Sequence, residues 1–206
     1  MSKIAIIDYG MSNSYSVLSM INRLGRNAKI VHDTSQITDE NKFILPGVGS
    51  FDNAIFNLKK YGWFDYLKQL DFINKNYLLG FCIGMQVLFE KSEEGKEEGL
   101  NLIKGKVTSL TKMINKESKI PIMGWRKVEF TSKNSLIDGI SSGTKFYFVH
   151  SYCCVPTEKD TILGCSENDN NYPCIVNYNK IYATQFHTEK SHKNGMKLMK
   201  NFLDLK

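Results

Sequence analysis

The sequence predicts an α/β fold in which a mostly parallel central sheet is extended by an antiparallel β region. Two observations indicate the parallel sheet: near-continuous apolar runs, typical of strands buried on both faces, and amphipathic segments between them with the spacing of helices. The third observation is that short β-type runs separated by turns replace this alternation in the second half of the chain. We therefore expect right-handed crossovers first and hairpins after them.

The first three strands are expected at residues 3–8, 28–31 and 42–45. A helix is predicted between the first two strands, from residue 14 to residue 24, and Gly25 ends it. A second helix follows the third strand, and its apolar stripe consists of Phe51, Ala54, Ile55 and Leu58. This βαβ order is typical of parallel strands.

The middle of the chain is expected to hold a helical stretch at 63–73, the central strand at 78–81 and a helix at 83–91. Residues 91–99 are polar, acidic and contain glycine, which predicts a mobile loop beside the site. Glu93 and Glu94 of this loop are available to the ammonium group of a ligand, with solvated surface charge as the alternative.

The second half is expected to add antiparallel hairpins to one edge of the sheet. Its predicted strands are residues 104–110, 127–130, 145–149, 162–166, 174–178 and 181–185. A final helix is predicted at about 192–205, with Met196, Met199, Phe202 and Leu203 facing inward. No linker or repeat interrupts the pattern, so residues 1–206 are expected to form one domain.

Composition argues against several classes of function. The chain is 42% hydrophobic and 23% charged, and no apolar run approaches the ~18–20 residues that span a bilayer. Met1 leads directly into a strand rather than a signal peptide, so we expect a cytoplasmic protein without membrane contact. Five cysteines without a C-x-x-C pair argue against a disulfide framework and a zinc site, and we expect no metal or cofactor. The net charge is +6, but the lysines are scattered, which argues against nucleic-acid binding.

The central strand leads into a nucleophile elbow at Cys82. Gly80 and Gly84 stand two residues before and two after the cysteine, the spacing that lets a strand and a helix meet at a sharp turn. The elbow would place the thiol at the amino end of the next helix, where the dipole favours a thiolate by only about 0.3–1 kcal/mol. We therefore expect a partner base, although an inert buried cysteine is the simpler alternative.

A second glycine-rich turn, residues 46–50, also follows a strand and opens a helix. Asp52 stands where a dinucleotide fingerprint would have its third glycine, and no GK[ST] follows, so a phosphate cradle is unsupported. Close backbone approach to a small ligand, with an N–H directed at a developing negative charge, explains the glycines better. A merely tight turn is the alternative.

The last strand delivers His187 and Glu189 at its carboxyl end, where ligands bind in open α/β sheets. Two residues apart on an extended segment, they would point the same way, so that His187 can accept the thiol proton while Glu189 orients the ring. His32 and His192 are expected on the surface, and His150 is expected to be structural rather than catalytic. The residues thus predict a Cys-His-Glu triad.

With these residues identified, the chain resembles the class I (triad-type) glutamine amidotransferases, and among them the glutaminase subunits of imidazole glycerol phosphate synthases. The motifs that carry the resemblance extend over nearly the whole chain: residues 8–11, 45–49, 80–86, 123–125, 147–152, 185–187 and 189–191. The resemblance implies a three-layer, flavodoxin-like fold.

It also implies that Cys82 attacks the side-chain carbonyl of L-glutamine, that His187 moves the proton and that Glu189 orients His187. Backbone N–H groups of Ile83 and of the Gly47–Val48–Gly49 turn would hold the oxyanion. By the same resemblance, glutamine contacts Gly47, Gly49, Gln86, Glu94, Ser151 and Tyr152. Ammonia would pass to a (β/α)8-barrel synthase (cyclase) in a heterodimer that makes imidazole glycerol phosphate and AICAR in histidine biosynthesis, with Trp125, Tyr147 and Lys190 near the interface.

The chain departs from the family pattern at four positions. Where the family usually has Gly, His, Asn and Pro, this chain has Ser12, Ile122, Arg126 and Thr188, respectively. Thr188 spares both catalytic side chains, and the other three are expected in turns that face the synthase. Two alternatives follow: a paralogue that supplies ammonia for amidination of a nucleotide sugar in surface-glycan synthesis, or a cysteine hydrolase of the same fold.

Overall fold

A computed structural model describes residues 3–114, 119–167 and 171–206 of the chain. Its strands are β1 (Ile4–Ile7), β2 (Ala28–Val31), β3 (Lys42–Leu45), β4 (Tyr77–Phe81), β5 (Lys91–Ser92), β6 (Gly105–Ser109), β7 (Ile122–Phe130), β8 (Thr144–His150), β9 (Tyr152–Pro156), β10 (Ile162–Ser166), β11 (Tyr172–Tyr178) and β12 (Ile181–Thr184). The helices are α1 (Ser14–Arg23), α2 (Phe51–Lys60), α3 (Trp63–Gln69), α4 (Ile83–Gln86) and α5 (His192–Asp204).

The central sheet has nine strands in the order β2-β1-β3-β4-β12-β11-β10-β7-β8. The strands from β2 to β12 pair in parallel, and those from β12 to β8 pair antiparallel. The α/β fold with an antiparallel extension is therefore confirmed, as a mixed sheet with a parallel and an antiparallel part of similar width. A separate sheet, β5-β6-β9, was not predicted.

Alternate residues of the parallel strands face two different apolar layers. In β1, Ile4 and Ile6 pack with one cluster of buried side chains, which includes residues of α1 and α5. Ala5 and Ile7 pack with the other, which includes residues of α2 and α3. Because both faces of the strand are covered by helices, β1 reads as a continuous apolar run.

Two helices end earlier than their sequence pattern predicts. Helix α3 stops at Gln69, and the Asp71 carboxylate then accepts the backbone N–H groups of Ile73 and Asn74 to form a turn. Helix α4 has four residues, although a helix to residue 91 was predicted. The carbonyls of Val87 and Leu88 accept N–H groups of residues 100, 102 and 103, so these tertiary bonds replace further helical turns.

The predicted mobile loop at 91–99 is tied to the rest of the protein. Strand β5 pairs with β6, and the Asp52 carboxylate accepts the N–H groups of Lys96 and Glu97 at 2.9–3.0 Å. A Cβ on Gly95 would lie 1.9 Å from an Asp52 oxygen, so only glycine fits there. Asp52, which stands where a dinucleotide fingerprint would have its third glycine, therefore anchors this loop to the start of α2.

Candidate active site

Cys82 has the backbone of a nucleophile elbow. Its φ of 52° and ψ of −109° lie outside the usual regions for a side-chain-bearing residue. A Cβ on Gly80 would lie 2.5 Å from the Gly84 carbonyl oxygen, and one on Gly84 would lie 1.8 Å from the carbonyl oxygen of Leu45. Both glycines are thus needed for close packing of β4, α4 and β3. Since α4 has only one turn, side chains rather than a long helix dipole must support a thiolate.

His187 and Glu189 form the second half of the predicted triad. Nδ1 of His187 lies 2.8 Å from Oε1 of Glu189, and both side chains are almost completely buried. Glu189 does not lie on an extended segment as predicted, because Thr188–Lys190 form a 3-10 turn. The turn nevertheless brings the carboxylate against the ring nitrogen that faces away from Cys82.

Charge on the imidazole is favoured by both neighbours. Burial disfavours the charged ring, but the hydrogen bonds and charge interactions with the Cys82 sulfur and the Glu189 carboxylate outweigh it, and the pKa of His187 is raised to about 10. His187 is accordingly an imidazolium at neutral pH in this arrangement. The His187 ring can therefore be held as an imidazolium between the Cys82 sulfur and the Glu189 carboxylate.

A cavity of about 310 Å³ opens at the elbow. The cavity lies at the carboxyl ends of the strands and is lined by Val48, Gly49, Cys82, Ile83, Gln86, Glu94, Pro121, Val149, His150, Ser151, Tyr152, His187 and Lys190. Glu189 lies behind His187, and Gly47 lies beneath the adjacent turn, where a Cβ would be 2.5 Å from the Tyr9 hydroxyl. The cavity has the size of a small-molecule site. A wider groove of about 1380 Å³, at the amino ends of β4 and β12, contains none of the triad.

The predicted glutamine contacts reach this cavity by different routes. Glu94 faces it while one carboxylate oxygen accepts the Phe51 N–H at the start of α2, at 2.8 Å. Glu93 instead accepts the Ser109 N–H and pairs with Lys112, so it is not a site residue. Gln86 donates to the Tyr152 carbonyl at 3.3 Å, and its own Oε1 is buried without a hydrogen-bond partner among the described residues. That oxygen is therefore a buried acceptor whose hydrogen-bonding capacity is unused.

The predicted oxyanion donors differ in their availability. Ile83 begins α4, and the first N–H groups of a helix have no intrahelical partner. The Val48 N–H, by contrast, donates to the Met11 carbonyl at 2.9 Å. The glycine-rich turn therefore keeps this N–H away from the cavity in the present arrangement, and the Gly47–Val48 peptide would have to turn before it could serve an oxyanion.

Trp125 and Tyr147, two of the three residues predicted at a partner interface, lie side by side, and the third, Lys190, lines the cavity. Trp125 is partly exposed, lies 5.9 Å from the ring of Tyr147 and stacks on His192 at 5.3 Å. The backbone N–H of His187 donates to the Tyr147 carbonyl at 2.9 Å, so Tyr147 is bonded directly to the histidine of the predicted triad. Lys190 is exposed at the rim.

The four departures from the family pattern lie in two kinds of environment. Ser12 donates to Asp8 at 3.1 Å in the first turn, as expected of a turn residue. Ile122 and Arg126 lie on β7 rather than in turns, because β7 pairs with β8 along its length from Ile122 to Val128. Ile122 is buried, and Thr188 is buried with its hydroxyl 3.2 Å from that of Thr184.

His150 lines the cavity wall, but both of its ring nitrogens have protein partners, which supports the structural role predicted for it. Its ring nitrogens lie 2.8 Å from the Tyr152 carbonyl and 3.1 Å from the Tyr172 hydroxyl. Burial lowers the pKa of His150 to about 4, so the ring is neutral at physiological pH. The other two non-catalytic histidines, His32 and His192, are exposed as predicted.

We expect the protein to lose stability in acid because His150 must be protonated there. Its folded pKa lies below the ordinary value of 6.5, so the cost is absent above 6.5, grows as pH falls and reaches about 3 kcal/mol near pH 4. His187 is raised instead, so its contribution is constant below 6.5 and is lost only as pH rises towards 10. The free energy of unfolding, measured with urea at several pH values between 7 and 4, should fall less steeply with decreasing pH for His150→Asn than for the wild type. His32→Asn is the control, and equal slopes in all three proteins would contradict the prediction.

Sequence reasoning missed Gln185, which contacts the nucleophile. Its side chain is completely buried, and Nε2 lies 3.7 Å from Sγ of Cys82. The signal that could have found it is its place at the end of β12, two residues before His187, in the strand paired directly with β4.

Comparisons with known proteins agree with this geometry. The family model described as "Glutamine amidotransferase class-I" matches residues 5–205. The chain is 47% identical to imidazole glycerol phosphate synthase subunit HisH 2 of Methanococcus maripaludis, over 97% of this chain and 98% of that protein. It is 40% identical to HisH 2 of Pseudomonas aeruginosa, over 98% and 99% of the two chains.

Solved structures show the same fold at lower identity. A glutamine amidotransferase crystal structure superposes with a TM-score of 0.76 at 18% identity, covering 98% of this chain and 97% of that one. The PurLQS structure from Thermotoga maritima superposes with a TM-score of 0.69 at 15% identity and 98% coverage of both chains. None of the helices in the described part of the chain is long and apolar enough to cross a membrane.

Proposed function

The chain belongs to the class I glutamine amidotransferase family, and from that premise we propose that it is the glutaminase subunit of an imidazole glycerol phosphate synthase. It hydrolyses L-glutamine to glutamate and ammonia, and the ammonia serves the formation of imidazole glycerol phosphate and AICAR in histidine biosynthesis. One observation carries this: full-length relatives with that name share 38–47% identity, in a chain whose Cys82, His187 and Glu189 meet at one cavity. The relatives favour this function over the nucleotide-sugar and cysteine-hydrolase alternatives.

The reaction begins at the thiol of Cys82. His187 takes the thiol proton, the sulfur attacks the side-chain carbonyl carbon of glutamine, and the His187 imidazolium then donates that proton to the leaving ammonia. A glutamyl thioester remains. His187 then removes a proton from the water that attacks the thioester, the carbon–sulfur bond breaks to release glutamate, and the proton returns to the Cys82 sulfur. Glu189 keeps the ring oriented and stabilises its positive charge through both steps.

Backbone N–H groups hold the negative charge that develops on the carbonyl oxygen. The N–H of Ile83 is placed for this at the start of α4, and one from the Gly47–Val48–Gly49 turn is the second donor. Loss of one such donor costs about 2.7–4 kcal/mol of barrier. The bond from Val48 to the Met11 carbonyl is thus a reason for low activity in this arrangement.

The wall of the cavity binds the rest of the substrate. Glu94 is placed for the α-ammonium group, and Gln86 lines the same wall. Gly49, Ser151 and Tyr152 complete this wall, and Gly47 supports it from beneath. The residues 1–206 act as one glutamine amidotransferase type 1 domain.

The partner is a cyclase subunit with a (β/α)8-barrel fold, and ammonia passes to it within a heterodimer. Support comes from the large apolar side chains exposed near the cavity: Met123 and Trp125 on β7 and Val48 on the glycine-rich turn. With Tyr147 and Lys190 they form the proposed interface. All five cysteines are free thiols, in keeping with a reduced cytoplasm.

Labelling by a diazo-ketone analogue of glutamine tests the proposal. Mass spectrometry of the complex with its cyclase should find one adduct on Cys82, because only that thiol faces the cavity. The half-buried Cys165 is the internal control and should stay unmodified. A complex that stays active while Cys82 carries no adduct would refute the assignment.

A further inference from the structure

Two buried glutamines link the cavity wall to the nucleophile. Nε2 of Gln86 lies 3.2 Å from Oε1 of Gln185, and Nε2 of Gln185 lies 3.7 Å from Sγ of Cys82. Neither glutamine is more than 2% exposed. Burying an amide away from water costs free energy unless its hydrogen bonds are made. The partners of both glutamines therefore have to be identified.

A backbone carbonyl determines the direction of the whole relay. The Tyr152 carbonyl can only accept, so the Gln86 atom beside it, at 3.3 Å, must be the NH₂ group. The Gln185 atom facing that same NH₂ group is then the oxygen. The remaining end of the Gln185 amide, directed at Cys82, is therefore a hydrogen-bond donor.

A donor directed at sulfur favours the thiolate over the thiol. The Cys82 sulfur can give its own proton to the Val149 carbonyl at 3.8 Å, but only the deprotonated form gains from the Gln185 N–H. Because α4 is a single turn, this side chain supplies support that the helix alone does not.

We infer that Gln185 is a positioning residue. Its amide is held by Gln86 at one end, and its N–H stabilises the Cys82 thiolate at the other. The Gln86 Oε1 is buried without a partner among the described residues, at the other end of the same relay. The inference rests on the proposed glutaminase function and adds a residue to its site.

The other groups near the sulfur act on the same equilibrium. They are His187 and Glu189 after β12, Tyr9 in the first turn, Cys154 on β9, His150 at the end of β8, and Glu94 and Lys190 at the cavity rim. None of these side chains is itself replaced by a substitution at residue 185, and Gln185→Met adds no charge beside them, so a shift in that variant reports the loss of the Gln185 N–H.

Iodoacetamide alkylation of Cys82 as a function of pH tests the inference. Gln185→Glu keeps the shape but replaces the donor with an acceptor, and should move the alkylation midpoint upward by about one to two pH units. Gln185→Met removes the donor without adding charge and should give a smaller upward shift. Both should lower glutamine-dependent turnover about 10–100-fold and spare the ammonia-dependent reaction of the complex.

Asn177→Asp is the matched control. Asn177 donates to the carbonyls of Asn179 and Ile181 at the far end of β12, so the same amide-to-acid change should leave the midpoint unchanged there. An unshifted midpoint in folded Gln185→Met would overturn the inference even if Gln185→Glu fails to fold. Alkylation needs no glutamine, so the two proposals can fail separately. If the Gln185 variants show the shifted midpoint but the wild-type complex has no glutaminase activity, the proposed function is refuted and the inference about Gln185 stands.

Discussion

We expect Cys82→Ala to abolish glutamine-dependent synthesis while the ammonia-dependent reaction of the complex continues. The methyl group cannot attack the glutamine carbonyl, so no thioester forms, and turnover should fall at least about 10⁴-fold. The elbow backbone at φ 52° is strained for alanine as it is for cysteine, so the local fold is expected to survive. Synthesis should be measured with glutamine and then with an ammonium salt at the same partner concentration.

Cys174→Ala is the control for this prediction. Cys174 is a buried cysteine on β11, and its truncation removes a similar volume without changing the cavity. Its glutamine-dependent rate should stay close to that of the wild type. If Cys82→Ala removes both activities while the complex still assembles, the reacting thiol has been assigned wrongly.

Glu189→Gln is expected to have the next largest effect. The amide keeps the shape of the carboxylate but removes its charge, and an NH₂ group against Nδ1 would favour the wrong ring tautomer. By the effect known for such a change in a serine triad, turnover should fall about 10³–10⁴-fold with little change in KM. The pKa of His187 should fall from its raised value, because one of the hydrogen bonds that raise it becomes weaker.

The pKa of His187 separates a catalytic role of Glu189 from a structural one. Titration of the His187 ring by NMR should show a lower midpoint in Glu189→Gln and an unchanged one in Glu129→Gln. Glu129 lies on β7, where its carboxylate accepts the Ser142 hydroxyl. A fall in activity with an unmoved His187 midpoint would mean that Glu189 acts by packing alone.

The short segment after β12 contacts Cys82 and contains Glu189, the two residues replaced in these predictions. Gln185 contacts the sulfur, His187 contacts Glu189, and Ser191 donates to the His187 carbonyl at 2.7 Å while accepting the Tyr147 N–H at 3.0 Å. The catalytic histidine is thus bonded to the strand that carries the proposed interface residue Tyr147. A partner that moves β8 would act directly on the histidine.

Local patterns were enough for the parallel half of the fold. Strands β2 and β3 have the predicted bounds, since apolar runs closed by polar residues or proline indicate where a buried strand ends. The elbow was predictable for the same reason, because two glycines around a cysteine encode a backbone turn directly. Helix α4 was predicted too long, since the bonds of Val87 and Leu88 to residues 100–103 lie outside any local pattern.

The sequence by itself determined which chemical groups this protein brings to its site: the Cys82 thiol, the His187 ring and the Glu189 carboxylate, each at the end of a recognisable strand. Only the tertiary structure decided how they are held. The Gln185 amide meets a sulfur 103 positions away in the chain, and the Val48 N–H is held by the carbonyl of Met11. The physical reason is that residue types encode local backbone preferences, whereas the pairing of one donor with one distant acceptor is set by how the strands pack.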